Sequence, residues 1–355
     1  MKIVIDARMI NMSGIGRYLR ALLPSLIENI EADFVILGKK EEINSYISGN
    51  VSIINLKYPI YHPFEHFDLK KNIPECDIYF SPHFITPFFK IPARNRITTI
   101  HDLFHLSDLA EFSYLKKLYL KIIISNAIKR STKLITVSNF SRNEIINRFP
   151  LAKSKIEVIY NSIDRNFFRE SYEDSGIEGS YALFVGNIKP HKNIIRLLEA
   201  FKKRDNKNLK LVIVGEKEGF ISGIDGIENK ISKTDNIIFT GKVNDNKLLA
   251  IYSHADFLIF PSLYEGFGFP PLEAMSCRTI VTASQIEVVK EICGDAVVYF
   301  DPLDINDMKN KINILSSPEF QKKKLIKEGE RRANVYSPEN FINQHIKIFS
   351  KYKIQ

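Results

Sequence analysis

Two α/β domains, each built on a parallel sheet, are what this sequence predicts, and three observations carry the prediction. Short apolar runs alternate with longer stretches of helical spacing, which is the pattern of βα units. The alternation pauses at a polar, acidic stretch, residues 169–180, and then starts again. The chain has 355 residues, more than one hydrophobic core ordinarily serves.

Taken in order, the first half offers buried strands at 2–5, 33–37, 77–80, 96–100 and 133–137. Helical spacing lies between several of them, notably over 17–29 and 114–129. The second half offers strands at 181–185, 210–214, 236–239, 257–260, 279–281 and 296–299, with helices over 193–203, 245–253 and 270–276. The tail, 337–355, is an amphipathic helix whose apolar face holds Phe341, Ile342, Ile346, Ile348 and Phe349, with His345 among them. Each half opens with a strand feeding a glycine turn, VIDARMINMSGIGRY in the first and ALFVGNIKPHKN in the second. Ligands of open parallel sheets bind off the carboxyl ends of the strands, so two such sheets facing each other would make one deep cleft. The expected boundaries are 1–165 for the first domain and 166–336 for the second, with 337–355 packing back on the first.

Composition removes several classes. Apolar content of 45% and charged content of 26% describe a globular protein. Cys76, Cys277 and Cys293 lie far apart with no C-x-x-C pair, which argues against a disulfide framework or a cysteine-rich zinc site. The start, MKIVIDAR, has too short an apolar run for a signal peptide, and no window is long and apolar enough for a membrane span. A cytoplasmic protein is expected. The net charge of +9 is concentrated: residues 112–155 hold ten basic residues against the single acid Glu144. Such a window suits an anionic lipid surface or nucleic acid, or is a solvated helix face. No nucleic-acid recognition motif accompanies it, so a nucleic-acid partner is not expected.

The stretch FPSLYEGFGFPPLEAM, residues 260–275, carries the chemistry. Gly266 and Gly268 let backbone approach a ligand. Pro270 and Pro271 suit the first turn of a helix, whose N-terminus attracts an anion such as a diphosphate. Glu273, within that helix, can accept two hydrogen bonds from a vicinal diol, as acids do for riboses in dinucleotide folds. Glu265, before the turn, reaches toward whatever hangs from the phosphate. The layout describes a nucleoside diphosphate carrying a polar group. The bland alternative is an ordinary strand–loop–helix unit with surface acids.

This stretch closely resembles the E-x7-E signature of retaining glycosyltransferases of family 4, which have the GT-B fold. Other motifs follow the family in order: SGIGRYLRALL (13–23), HDLFHL (101–106), VSNFSRNEI (137–145), VIYNSID (158–164), VGNIKPHKN (185–193), FTGKVNDNKLLAIYSHAD (239–256) and SQIEVVKEICGDAVVYFDP (284–302). The resemblance implies two Rossmann-like domains across a cleft, with the acceptor on the first and a nucleotide-diphosphate sugar on the second. It gives Glu273 the donor's ribose hydroxyls and Glu265 the transferred sugar near its 3- and 4-hydroxyls. Phe267 and Gly268 would offer backbone N–H groups to sugar and phosphate. Lys192 would neutralise the diphosphate, which gains charge as it leaves. Gly16 would face the same diphosphate, Val243 would meet the base, and His101 would touch the sugar. Glu265, His101 and Lys192 are thus the catalytic candidates. Asn187 is a donor-site departure: many relatives have arginine there, and His191 replaces another, so Arg165, Lys189 or Arg196 is left to compensate.

The resemblance further implies front-side attack, in which the leaving phosphate takes the acceptor's proton and the protein supplies position and electrostatics. No cofactor and no metal are expected: there is no D-x-D, and the histidine pairs His101/His105 and His62/His66 have poor contexts for metal ligation. The P-x-KN pattern resembles bacterial mannosyltransferases of O-antigen and capsule assembly, which implies GDP-mannose as donor. The aromatics Phe104, Phe112, Tyr114 and Tyr119 beside the basic window suit a saccharide acceptor on a polyprenyl diphosphate, met by a peripheral enzyme at an anionic membrane face through residues 112–155. Three other readings compete. A dinucleotide oxidoreductase lacks the third glycine of its fingerprint. A sugar-nucleotide epimerase of the same architecture is opposed by the E-x7-E match, and a non-catalytic carbohydrate-binding subunit by the presence of Glu265, Glu273 and Lys192 together.

Overall fold

The computed structural model describes residues 1–47, 51–168, 173–215 and 236–352. The chain divides into two compact units, Met1–Ser162 with Pro338–Gln355, and Ile163–Ser337. The acidic stretch 169–180 opens on residues outside those described, as does the end of the tail, 353–355.

Unit 1 is a seven-stranded, wholly parallel sheet in the order β3-β2-β1-β4-β5-β6-β7. Its strands are β1 Lys2–Asp6, β2 Asp33–Leu37, β3 Ser52–Ile54, β4 Cys76–Ser81, β5 Ala93–Thr99, β6 Lys133–Thr136 and β7 Ile156–Val158. Five of these are the strands the apolar runs predict. The other two, β3 and β7, are three-residue edge strands, mostly half-buried, too short and too polar to stand out as apolar runs. The helices are α1 Ser13–Asn29, α2 Lys40–Asn44, α3 Glu65–Asn72, α4 Tyr114–Arg130 and α5 Asn139–Arg148. α1 lays Tyr18, Leu19, Leu22, Leu23 and Leu26 against Ile3, Ile5, Ile36 and Phe80 of the sheet. These side chains are almost fully buried, and each contributes about 1.5–3 kcal/mol on leaving water. α4 starts at Ser113, whose hydroxyl caps the Lys116 N–H, and buries Leu120, Ile123, Ile124 and Ile128.

Unit 2 is a six-stranded parallel sheet in the order β10-β9-β8-β11-β12-β13. Its strands are β8 Tyr181–Val185, β9 Lys210–Val214, β10 Ile237–Gly241, β11 Phe257–Phe260, β12 Ile280–Ser284 and β13 Val298–Phe300. The helices are α6 Ile194–Lys202, α7 Asp245–His254, α8 Phe269–Ser276, α9 Glu287–Cys293, α10 Ile305–Leu315 and α11 Lys322–Val335. The chain then returns to unit 1 as α12, Pro338–Ser350, and seats Phe341, Ile348 and Phe349 in the α1 core. A hydrogen-bond chain locks this return. His345 Nδ1–H donates to the Phe341 carbonyl at 2.8 Å, so Nε2 accepts from the Tyr18 hydroxyl at 2.7 Å, and Thr99 Oγ1 lies 3.0 Å beyond.

Both sheets start in the middle and reverse direction once. The switch falls between β1 and β4 in unit 1 and between β8 and β11 in unit 2. In doubly wound sheets the crevice at this point, off the carboxyl ends of the strands, is where a ligand sits.

Candidate functional site

In unit 2 the switch point is lined by two loops that are fastened to each other. After β8 the chain passes Gly186 and Asn187, turns through the 3₁₀ segment Pro190–Lys192, and enters α6 from Asn193. Asn193 is left-handed, with φ 59° and ψ 30°, and is 3% exposed. Its amide donates to the carbonyls of Pro261 (3.1 Å) and Pro302 (2.7 Å), which pins the turn to the segments after β11 and β13. The Leu263 N–H closes the same seam on the His191 carbonyl at 2.8 Å. These bonds hold the loops rigid and bring Lys192 to Glu265, Nζ to Oε1 at 2.5 Å, with 17% and 13% of the side chains exposed. The ammonium also lies 5.7 Å from the centroid of the Phe260 ring.

Glycines make the floor of this region. A Cβ on Gly215, at the end of β9, would stand 2.1 Å from the Gly186 carbonyl oxygen, and Gly215 has φ +153°. The two backbones therefore meet where no side chain fits. Gly268 has φ +105° and opens α8, which presents Pro270 and Pro271 in its first turn. Those prolines carry no N–H, so this helix start offers fewer donors to an anion than an ordinary one. Phe267 is 3% exposed, its ring set edge-on against Phe269 and Tyr336. Val243 is half-buried between β10 and α7, next to Asn244, whose side chain caps the Lys247 N–H at 2.8 Å. Asn187 is half-buried. Of the three cations left to compensate for it, Arg196 is held by Asn193 Oδ1 at 3.0 Å and Lys189 is exposed.

Glu273 is 2% exposed and accepts the Tyr252 hydroxyl at 2.9 Å, from a tyrosine that is itself fully buried. The two acids of the E-x7-E stretch therefore differ in kind. Glu265 stands on the loop against a cation, while Glu273 is sunk between α7 and α8 against a phenol. Sequence reading missed Tyr252 and Asn193. Their only signal was a polar-tipped or turn-forming residue in a run that folds as interior.

Gly16 and His101 belong to unit 1. Gly16 is the fourth residue of α1, and a Cβ there would meet the Ile10 carbonyl oxygen at 2.5 Å, an oxygen that also accepts Arg20 Nη1 at 2.7 Å. Close packing of the helix on its preceding loop is thus reason enough for glycine. His101 follows β5 and donates from Nε2 to the Pro82 carbonyl at 2.8 Å, edge-on to Tyr18 at 5.1 Å. Burial lowers its pKa to about 4, so the ring is neutral at physiological pH and carries its proton on Nε2.

The switch point of unit 1 holds something the sequence did not announce. The Arg8 side chain is 6% exposed and forks onto Asp6, Nε to Oδ1 at 2.9 Å and Nη2 to Oδ2 at 2.8 Å, while Nη1 reaches Glu65 Oε2 at 2.9 Å. Glu65 Oε1 accepts the Tyr61 N–H at 3.0 Å, and His83 Nε2 stands 3.5 Å from Asp6 Oδ2. Burial alone would raise the Asp6 carboxyl, but Arg8 and His83 outweigh it and hold Asp6 well below the usual carboxylate range. Burial keeps His83 low, hence neutral, and raises Glu65 against the pull of Arg8. The ring nitrogens of His66 and the Tyr79 hydroxyl are buried nearby.

Among the described residues no group of three or more His, Cys, Asp or Glu is placed to hold a metal ion. His62 stacks on Tyr58 at 4.4 Å, and His101 Nε2 is engaged by the Pro82 carbonyl. No helix among them is long and apolar enough to cross a membrane.

Comparison with known proteins agrees with this architecture. Residues 12–167 match the family model described as Glycosyltransferase Family 4, and residues 168–332 match that of Glycosyl transferases group 1. The chain is 31% identical over 229 residues to the O-antigen chain mannosyltransferase RfbU of Salmonella typhimurium, covering 64% of this chain and 62% of that protein. It is 26% identical over 291 residues to O-antigen chain mannosyltransferase B of Escherichia coli, covering 77% and 74%. The match thus spans less than two thirds of the first relative's length. Sucrose-phosphate synthase from Thermosynechococcus elongatus superposes with a TM-score of 0.78 at 19% identity, over 99% of this chain and 98% of that one. Anabaena HepE, in complex with UDP and glucose, gives 0.80 at 16% identity, over 99% and 100%. The fold is GT-B.

Proposed function

We propose that this chain, which belongs to the group 1 glycosyltransferases of family 4, moves a hexose from a nucleotide-diphosphate sugar to a saccharide acceptor, retaining the anomeric configuration. The observation that carries the reading is the Lys192–Glu265 pair at the switch point of unit 2. Without ligand the two charges neutralise each other at low exposure. An entering diphosphate competes for Lys192 with more charge than one carboxylate, and the released Glu265 turns to the sugar hydroxyls. Lys192 then faces the charge that grows on the leaving diphosphate, where a preorganised cation lowers the barrier. The acceptor hydroxyl forms the new glycosidic bond as the old sugar–phosphate bond breaks, and the leaving phosphate oxygen takes its proton. Glu273, held by Tyr252, is the ribose ligand in this reading.

Mannose is the hexose and GDP-mannose the donor in our proposal, supported by the two O-antigen mannosyltransferase relatives. A lipid-linked acceptor is supported by α4. That helix has two apolar faces: beside its buried one, Tyr114 (79% exposed), Leu115 (75%), Leu118, Tyr119 and Ile122 form an outward stripe with Lys116, Lys117 and Lys121 among them. An apolar stripe studded with cations suits an anionic membrane surface. Sedimentation with vesicles of phosphatidylcholine and phosphatidylglycerol should carry the protein down, and Leu115→Ser/Leu118→Ser should release it. Calorimetry with GDP, UDP and dTDP tests the donor reading. GDP should bind best, and Glu273→Gln should weaken it by about tenfold. Failure of all three to bind would sink the proposal.

A further inference from the structure

The amino ends of β5 and β6, at the end of the unit 1 sheet opposite its switch point, frame an open pocket of about 450 Å³. Its walls carry Lys90, Arg94, Arg96, Lys129 and Arg130, with Asn126 on α4, and among the described residues no acid lines it. Five basic residues thus line one concavity. Arg96 is the built-in member, 7% exposed, with Nη1 on the Pro87 carbonyl (3.2 Å) and Nη2 on the Phe89 carbonyl (2.9 Å). Arg130 is braced by Asn126 Oδ1 at 3.0 Å, and Asn126 is tied in turn to the Phe88 carbonyl at 3.4 Å. Asp77 stands 3.5 Å from Arg94, a side chain that is 59% exposed. Burial and the field of Arg130 together disfavour the charge on Arg96. Folding has thus gathered like charges around a concavity and braced two of them, at a cost that an anion would offset.

We propose that this pocket binds a phosphate-class dianion, presented either by a free phosphoryl compound or by the headgroup of an anionic lipid. Guanidinium forks match phosphate oxygens in a way that lysines alone do not, and the volume admits a diphosphate with a small substituent. Its position on the carboxyl half of α4, below the exposed apolar stripe of the same helix, suits the headgroup source. The inference is independent of the transferase reading, because the pocket shares no residue with the unit 2 site.

The test uses the full chain carrying Lys192→Ala, so that pyrophosphate cannot report on unit 2. Calorimetry with pyrophosphate at constant ionic strength should show binding. Adding Arg94→Glu/Arg130→Glu should weaken it by about tenfold or more, whereas the charge-matched Lys323→Glu/Lys324→Glu on α11 should leave it unchanged. Both replaced arginines are solvent-facing, and thermal unfolding will verify that the variants fold. No binding in the Lys192→Ala chain, or equal loss in the α11 variant, would overturn the proposal. Vesicles of phosphatidylcholine with phosphatidic acid separate the sources. Capture that pyrophosphate displaces assigns the headgroup, and pyrophosphate binding without vesicle capture assigns a soluble ligand; both uphold the pocket.

Discussion

The two units share a strand order and use the same point in it differently. In unit 2 the carboxyl ends of β8 and β11 carry glycines, a turn fastened by Asn193, and a Lys192–Glu265 pair that a ligand can reach. In unit 1 the equivalent ends of β1 and β4 are filled by Arg8, Asp6, Glu65 and His83, nearly all of it out of solvent. The topology supplies a crevice in both, and the side chains decide whether it stays open. A partly exposed ion pair can exchange partners, because water and ligand compete for it on similar terms. A buried one cannot, because breaking it strands a charge in low dielectric.

Breaking the buried network is therefore the sharpest test of the contrast. Arg8→Met leaves Asp6 and Glu65 without their cation and should cost unit 1 about 3–5 kcal/mol in denaturant unfolding, with nucleotide binding by unit 2 unchanged. A loss confined to activity would mean the network serves a ligand after all. On the open side the effect should invert: Glu265→Ala should lower hexose transfer by about 10²–10³-fold while the unfolding transitions stay in place.

A pH series sharpens the comparison from within unit 1. His345 is buried and neutral, its pKa lowered to about 4 by burial. An unfolded histidine titrates near 6.5, so the contribution of the neutral ring is full above about pH 6.5 and is lost as pH falls from there through about 4. The loss should reach about 3 kcal/mol, and His345→Gln should remove that share of the acid sensitivity. His101, His83 and His66 shift the same way and add to the loss, and the lowered carboxyl of Asp6 adds its own as pH falls further. The smallest effect lies at Glu273. Tyr252→Phe deletes the hydroxyl on Oε2 and should destabilise unit 2 by about 1–2 kcal/mol, with a modest weakening of nucleotide binding.

Much of this was legible beforehand, for definite reasons. Parallel strands buried on both faces read as unbroken apolar runs, which is why β1, β2, β8, β9 and β11 stand where the runs are. Edge strands β3 and β7 have no such runs. The motif order identified the family because loop residues such as Gly186, Lys192, Glu265 and Gly268 keep their place along the chain. What the residues touch was not legible. Glu265 and Glu273 look alike in the string, yet one meets an ammonium in a partly exposed crevice and the other a phenol in the interior. The basic window likewise reads as one block of charge. Folding spends Lys155 on the Ser131 carbonyl and Arg148 on that of Leu106, and turns an apolar stripe outward between the lysines of α4.

Sequence by itself determined the fold class, the two-fold repetition of βα units and the family, because local periodicity and motif spacing are properties of neighbours along the chain. Only the tertiary structure decided which charges are paired, which are buried and which face solvent. Those depend on contacts between residues as distant as Arg8 and Glu65, Tyr18 and His345, or Lys192 and Glu265. Burial sets the strength of each such contact, and burial is a property of the assembled core.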